Sequence, residues 1–263
     1  MDFAETAAYL RRIDAAPPAA PTTRALHDLQ LAHLLAVPFE NLSIHLGEDI
    51  ELTEKALAAK VVGARRGGFC YELNGAFAAL LTALGFEVTL LQARVYDPSG
   101  HPGIPYDHLA LRVLTSDGGD WIADVGFGAH SHFPLAFGER GDQSDPGGTF
   151  RVAETPEGDL DVLMDGKPQY VIDLRPRALA DFTSGAWWHR TSPRSHFTQS
   201  LVCSLLTESG RITLSGRTLT TTEGGERRTA ELATDADVLD AYATHFGIAL
   251  EQVPQVKQAK QGA

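Results

Sequence analysis

Residues 65–75 read RRGGFCYELNG and place a thiol, Cys70, directly before a segment with helical spacing. Two glycines free the backbone just before this thiol and permit a close approach of backbone to substrate. The next residues, YELNGAFAALLTALGF, repeat large apolar side chains on one helical face and reach Gly85, a suitable C-terminal cap. Those apolar residues are Leu73, Phe77, Leu80, Leu81 and Leu84. Because a helix N-terminus stabilises a thiolate, Cys70 is predicted to be a nucleophile.

The other reading of an isolated cysteine is a small buried hydrophobic residue. The chain has only two cysteines, Cys70 and Cys203, too few for a disulfide scaffold, and a reducing compartment would keep both as thiols. Cys203 lies in the apolar run SLVCSLL, a context that favours burial. We therefore predict that Cys203 is structural.

A reactive thiol needs a base that titrates near neutral pH, and a histidine meets that need. Among ten histidines, His108 opens the apolar run HLALRV, where a strand would hold its imidazole rigidly. Asp124 lies among apolar neighbours in WIADVGFG, where a carboxylate is costly to bury without a partner. A hairpin across the DGGD turn would make the two neighbours. The sequence thus predicts a Cys-His-Asp triad like that of cysteine proteases.

The first third of the chain is predicted to be helical, from residue 1 to about residue 85. One helix begins after Thr22 or Thr23, either of which is a suitable cap, and stops at Pro38. A second helix is expected over residues 53–62, with Thr53 as its cap and Gly63 as its stop. This region is followed by a change of pattern at Glu87.

From Glu87 onward, short β-type runs separated by turn signals indicate antiparallel strands in a small barrel or curled sheet. These runs are EVTLLQARVYD, HLALRVLT, WIADVGF, TFRVAE, DLDVLM and QYVIDL. RPRALADF is predicted to be helical or irregular, and TSPRSHFTQ a loop. A second strand group comprises SLVCSLL, GRITLSG, RTLTT and RRTAEL. A short helix in DADVLDAYATHFG, capped by Asp235 or Asp237, and a polar tail, VKQAKQGA, complete the prediction.

Composition excludes several classes of function. The 263 residues carry a formal net charge of -12 with scattered basic residues, so nucleic acid is not an expected partner. No apolar run approaches the roughly 20 residues needed to cross a bilayer, and the acidic start is unlike a secretory signal, so we expect a cytoplasmic protein. The histidines and cysteines lack the spacing of a zinc site, and we predict no metal.

Phosphate-binding signals are weak in this sequence. No GxGxxG or GxxxxGK[ST] pattern stands between a strand and a helix. Gly126 and Gly128 form a GxG in which backbone N–H groups could approach the phosphates of a cofactor. A simple turn at a strand end explains the same two glycines equally well.

Four segments together resemble the arylamine N-acetyltransferase family: RRGGFCYELNG, DHLALRV, WIADVGFG and VPFENLSIHLG, with FTQSLVCSLLTESGRITLSGRTL similar to its C-terminal part. The resemblance spans nearly the whole chain and places the triad residues in the order Cys, His, Asp. It implies an α+β fold with an N-terminal helical bundle (1–85), a central antiparallel β-barrel with a connecting helical region (86–190) and a C-terminal α/β lid (191–263).

The resemblance also implies acetyl-coenzyme A as the donor, with Cys70 carrying the acetyl group, His108 activating the thiol and Asp124 orienting the imidazole. The implied partners are aromatic amines, arylhydrazines or N-hydroxyarylamines and coenzyme A, and the chain would act as a monomer or homo-oligomer. Residues near the family-like segments could line an apolar slot for the aromatic ring, although each could equally be core: Phe39, Phe69, Val95 and Phe127. Phe197 is a candidate cover for the pantetheine channel.

Two other enzymes and a charge pair complete the expectations. An amide synthase that closes polyketide chains onto an aryl amine would keep the fold and triad. A papain-like or transglutaminase-like hydrolase would pass the acyl group to water or to a protein amine, and a non-enzymatic binding protein is the remaining reading. Arg66 and Glu40 are expected to pair, which would tie the VPFEN segment to the loop before Cys70.

Overall fold

The computed structural model describes residues 1–256, so the predicted polar tail lies outside the described residues from residue 257 onward. Its helices are α1 (Phe3–Arg12), α2 (Thr23–Ala36), α3 (Leu42–Leu46), α4 (Glu54–Ala58), α5 (Cys70–Ala83), α6 (Thr183–Thr191), α7 (His196–Gln199) and α8 (Asp235–Phe246). A π-helical turn (Ala59–Gly63) extends α4, and a 3-10 turn (Leu179–Phe182) precedes α6. No helix of this part of the chain is long and apolar enough to cross a membrane.

The strands form two antiparallel sheets. They are β1 (Phe39–Glu40), β2 (Glu87–Val95), β3 (His108–Leu114), β4 (Asp120–Ala123), β5 (Leu135–Ala136), β6 (Gln143–Asp145), β7 (Gly148–Glu154), β8 (Leu160–Met164), β9 (Lys167–Arg177), β10 (Val202–Thr207), β11 (Gly210–Ser215), β12 (Thr218–Glu223) and β13 (Glu226–Glu231). Eight strands pair in the order β5-β4-β3-β2-β9-β8-β7-β6, a near-closed barrel. The other five pair in the order β1-β10-β11-β12-β13.

Helix α5 is the centre of the N-terminal helical region. Its first twelve residues are all buried, because they pack against α4 on one side and against the β2 and β3 strands of the barrel on the other. A helix covered all round has few positions for polar side chains, and those present must have partners. Gly85, in the left-handed region with φ 89°, follows its last turn as predicted.

The barrel has a core of its own, filled by inward-facing residues of alternate strand positions such as Leu91, Phe150, Tyr170 and Ile172. In the C-terminal sheet, α8 covers strands β10 and β11, with Val238, Tyr242 and Phe246 as the main buried contacts. The predicted α+β fold, with helices first, a barrel second and a sheet with helices last, is confirmed. The boundaries at residues 85 and 190 stay predictions.

Several local predictions differ from the structure. Thr234, not Asp235 or Asp237, caps α8, because its side chain accepts the N–H of Asp237. Strand β9 continues to Arg177, so the first part of RPRALADF is extended rather than helical or irregular. The predicted loop at residues 191–199 contains α7, whose start is capped by Ser195. Strand β1 was missed, since two residues are too few to show alternation.

Candidate active site

Cys70 is the first residue of α5 and lines a cavity of about 440 Å³. Its side chain is almost fully covered, with 4% of the residue exposed. The positive end of the α5 dipole faces the thiol and favours its anionic form. Glu72, one turn into the helix, accepts the N–H of Phe69 at 3.3 Å and holds the helix start in place.

His108 and Asp124 meet beside this thiol. Strands β3 and β4 form the predicted hairpin, with Leu111 opposite Ala123, and Asp124 follows the last residue of β4. One carboxylate oxygen, Oδ2, lies 2.6 Å from His108 Nε2. Both side chains are buried. Nε2 is therefore occupied, and Nδ1 is the ring nitrogen left to face Cys70.

The charges of these residues depend on one another. Burial alone would lower the pKa of His108, but the charge and hydrogen bond of Asp124 raise it to about 10. Burial would raise the pKa of Asp124, yet the imidazole beside it keeps that pKa below its usual range. Burial raises the pKa of Cys70, and the hydrogen bond and charge of His108 only partly oppose this. The thiolate is thus stable only while the imidazole takes its proton.

Apolar and aromatic side chains make up most of the cavity wall. Phe39, Val95, Phe127 and Phe197, four of the predicted contact residues, line it, and the Phe127 ring packs edge-on to His108 at 5.2 Å. Phe69 does not line it. Its ring is fully buried and packs edge-on against Tyr71 at 5.0 Å, because the chain turns inward at the start of α5. A cavity of this size suits a small aromatic ring or the end of a coenzyme arm.

The chain matches the N-acetyltransferase family model over residues 22–256. It is 38% identical over 216 residues, 79% of this chain and 75% of the relative, to the arylamine N-acetyltransferase / N-hydroxyarylamine O-acetyltransferase of Salmonella typhimurium. The structure is similar to the arylamine N-acetyltransferase of Mycobacterium smegmatis, with a TM-score of 0.85 and 33% identity over 94% of this chain and 92% of that one.

A second similar structure is that of the Mycobacterium marinum arylamine N-acetyltransferase in complex with CoA. Its TM-score is 0.83, with 32% identity over 92% of each chain. The chain belongs to the arylamine N-acetyltransferase family. The predicted family and enzyme class, an acyltransferase, are thereby confirmed.

Asn74 is the residue of this site that sequence reasoning missed. It lies one turn after Cys70 on α5, and its Nδ2 donates to Asp124 Oδ1 at 2.8 Å and to the Leu109 carbonyl at 2.6 Å. Its Oδ1 accepts the N–H of Val125 at 2.8 Å. An amide in the mostly apolar run that follows Cys70 was the available signal, because a buried amide needs partners. Asn74 holds α5 against the strand end that carries Asp124.

Glycines allow this close packing of α5. A Cβ on Gly126 would lie 2.7 Å from the Cys70 Cα and 2.8 Å from Asn74 Nδ2, and a Cβ on Gly67 would overlap the Pro38 carbonyl oxygen. The glycines next to Cys70 thus make room for protein backbone and side chains rather than for substrate backbone contacts.

The GxG segment has a different environment at each glycine. Gly126 lines the cavity, but its N–H donates to Asp124 Oδ1 at 2.8 Å. Gly128 has φ 95°, a conformation that favours glycine, and its carbonyl accepts Arg211 Nη2 at 3.0 Å. Arg211 is therefore a basic side chain next to the predicted phosphate-binding segment.

A buried charge network supports the loop before Cys70. Arg66 Nε lies 3.0 Å from Glu40 Oε1, with 10% and 0% of the two side chains exposed, and this confirms the predicted pair. Arg66 also contacts Glu48, and Lys60 contacts Glu72 at 2.6 Å. Burial would raise the pKa of Glu40, yet its cationic neighbours Lys60 and Arg66 lower it. The carboxylate is thus held ionised where it also caps the N–H of Leu42.

The second cysteine lies in the core, away from the cavity lining. Cys203 is fully buried in β10, and burial raises its pKa well above the usual value. Within residues 1–256, the structure contains no group of three or more His, Cys, Asp or Glu side chains that could hold a metal ion.

Proposed function

We propose that this chain transfers an acetyl group from acetyl-coenzyme A to the nitrogen of an arylamine or arylhydrazine through a thioester on Cys70. The oxygen of N-hydroxyarylamines is a further proposed acceptor, since the Salmonella typhimurium relative is named for that activity as well. One observation carries the proposal: Cys70 and His108 line the same largely apolar cavity, and His108 is paired with the buried Asp124.

In the first half-reaction, the Cys70 proton moves to His108 Nδ1, and the thiolate attacks the acetyl carbonyl carbon. The new S–C bond forms on Cys70, the bond to the coenzyme sulfur breaks, and the imidazolium returns its proton to the departing thiolate. Asp124 makes this proton transfer possible because it raises the proton affinity of His108. The α5 N-terminus favours negative charge at the sulfur.

In the second half-reaction, the acceptor nitrogen attacks the thioester carbonyl. The proton that the nitrogen loses passes by way of His108 to the Cys70 sulfur, which leaves as the thiol and restores the enzyme. Phe39, Val95 and Phe127 are the proposed contacts of the aromatic ring, because they line the wall next to the thiol. Phe197 is proposed to cover the pantetheine arm.

For the coenzyme phosphates we propose the segment around Gly128. Arg211, beside the Gly128 carbonyl, brings a positive charge to a chain with an overall net charge of -12. The M. marinum relative supports coenzyme A as the ligand, since its structure was obtained as a complex with CoA. Gly126 would contribute to the cavity wall and through its hydrogen bond to Asp124.

The test begins with acetyl-coenzyme A alone. Mass spectrometry of the digested protein should find an acetyl group on Cys70, and its absence from protein with a free Cys70 thiol would refute the proposal. Initial rates with a varied amine should then give parallel double-reciprocal lines. Rapid loss of the acetyl group to water without an amine would instead support the thiol hydrolase, and transfer only from a polyketide-type donor would support the amide synthase.

A further inference from the structure

A second imidazole–carboxylate pair opens on the same cavity, and the proposed mechanism does not use it. His189, on α6, places its Nε2 2.9 Å from Asp107 Oδ1, and the two side chains are only 8% and 12% exposed. The N–H of Val95 donates to the other oxygen of Asp107 at 3.1 Å. Ser195 Oγ lies 3.2 Å from His189 Nδ1. The Asp107 carboxylate is thus held in a fixed position.

Asp107 is also next to the reacting sulfur. Its carbonyl oxygen lies 4.0 Å from Cys70 Sγ and accepts the Tyr71 hydroxyl at 3.0 Å. His108 follows it directly in the chain. Asp107 also lines the cavity, so an acceptor that reaches a thioester on Cys70 enters a space that Asp107 borders.

Within the described residues, no lysine or arginine lines the cavity wall beside this carboxylate, whose charged-group partner is the His189 imidazole. Among the described residues that line the cavity, the carboxylates are Asp97 and Asp107, and none of the lining residues is Lys or Arg. The other titratable groups of the lining are three histidines, Cys70 and Tyr96. Asp97 is half exposed, so water screens its charge, whereas Asp107 is covered. Apolar walls reduce screening inside the cavity and make the charge of Asp107 effective there.

We propose that Asp107, positioned by His189, determines acceptor specificity: it favours aryl amines with a neutral or cationic hydrogen-bond-donating substituent and disfavours those with a carboxylate. A substituent N–H can donate to the carboxylate, whereas a substituent carboxylate meets a like charge at short range. This inference rests on the proposed acetyl transfer and specifies its acceptor class.

The experiment compares three anilines that differ only in the para substituent: 4-aminobenzoate, 4-aminobenzamide and 4-(aminomethyl)aniline. Each is added at pH 8 to enzyme whose Cys70 has first been shown by mass spectrometry to carry acetyl, and kcat/KM is measured. We expect the benzamide and the aminomethyl compound to exceed the benzoate at least about tenfold, as expected for like charges in a poorly screened cavity. The carboxamide withdraws more electron density than the carboxylate, so nucleophilicity alone would favour the benzoate.

Asp107→Asn should reduce the benzamide-to-benzoate ratio about tenfold, mainly by raising kcat/KM for the benzoate. Asp97→Asn removes the same charge from a more exposed position and should change the ratio less than about twofold. If wild-type protein uses the benzoate as well as the benzamide, the proposal is wrong, whether or not the Asp107 variant folds. An unchanged ratio in folded Asp107→Asn also overturns it while leaving acetyl transfer intact. Failure to acetylate Cys70 would overturn the proposed function itself and this inference with it.

Discussion

Asp124→Asn should move the proton of His108 from Nε2 to Nδ1, because of the way the hydrogen bonds around Asp124 would orient the new amide. Asp124 Oδ1 accepts two donors, Asn74 Nδ2 and the Gly126 N–H, each at 2.8 Å, whereas Oδ2 lies 2.6 Å from His108 Nε2, and the Tyr170 hydroxyl is close to the same carboxylate. An asparagine has one oxygen, and two donors are satisfied when that oxygen faces Asn74 and Gly126. Its NH2 then faces Nε2, so the imidazole must accept there and carry its proton on Nδ1.

That tautomer cannot take the Cys70 proton, and the charge that raises the pKa of His108 to about 10 is removed as well. Each pKa unit that the imidazole loses lowers the population of the thiolate–imidazolium pair about tenfold. Together with the wrong tautomer, this should reduce acetyl transfer by about 10³- to 10⁴-fold, as the same change does in a Ser-His-Asp triad. The fold should persist, since the amide is nearly the same size, keeps the two hydrogen bonds to its oxygen and reverses the direction of the third.

Two measurements test this reasoning. Iodoacetamide labelling of Cys70 near neutral pH should slow sharply in Asp124→Asn, and turnover with acetyl-coenzyme A should fall to the same extent. Asp120→Asn is the matched control, because it is the same substitution in the same hairpin at a partly exposed pair with Arg112. Its labelling and turnover should stay near wild type. Wild-type rates of both in folded Asp124→Asn would remove Asp124 from the catalytic group and leave a Cys-His pair.

Three further perturbations have outcomes that follow from burial. Cys70→Ala should abolish acetyl transfer with the fold intact. Cys203→Ala, in the core of the C-terminal sheet, should keep activity and lose about 1 kcal/mol of unfolding free energy measured in urea. Loss of activity in both variants, each still folded, would contradict a purely structural role for Cys203. Glu40→Gln should cost about 3 kcal/mol of unfolding free energy because Arg66 loses a charged buried partner. Asp28→Asn, at the exposed pair with Arg24, should change the unfolding free energy very little, and an equal loss in the two variants would refute a stabilising role for the buried Arg66–Glu40 pair. Burial lowers the pKa of His33 to about 3, below its unfolded value of 6.5. Between these two pH values the unfolded state binds more protons than the folded state, so the free energy of unfolding falls as the pH drops below 6.5. His33→Phe should remove about 2 kcal/mol of the loss between pH 7 and pH 5, and an unchanged pH profile by urea titration would show that His33 is already solvated.

The parts of the site that sequence could predict depend on short-range patterns. Helix α5 follows from apolar spacing between Cys70 and Gly85, and the His108–Asp124 contact follows from a hairpin whose turn is read directly from DGGD. Asn74 was missed although its signal is equally local. A polar residue one turn after the nucleophile, on a helix without an exposed face, requires a buried partner, and Asp124 is that partner.

Other features could not be found because they depend on contacts between distant segments. His189 and Asp107 are 82 residues apart and meet only because α6 packs over the segment before β3. Neither residue lies in a run whose spacing predicts a partner. The burial of Phe69 depends in the same way on Tyr71 and Phe197, whose rings surround it. Sequence context placed Phe69 near the thiol but could not determine which side of the turn its ring would occupy.

Strand β1 connects the catalytic chemistry to the shape of the cavity. Its two residues pair with β10, Phe39 opposite Ser204 and Glu40 opposite Cys203. The Glu40 N–H also donates to the Gly68 carbonyl at 2.9 Å, so β1 attaches the C-terminal sheet to the loop before Cys70. The Phe39 ring lines the cavity, while the adjacent Glu40 side chain is buried against Arg66 on the opposite side, as alternation along a strand requires. A one-residue shift of β1 along β10 would exchange the sides of these two residues. The proposed proton chemistry therefore depends on one hairpin and one helix start, whereas the position of Phe39, a proposed contact of the acceptor ring, depends on the pairing of β1 within the C-terminal sheet.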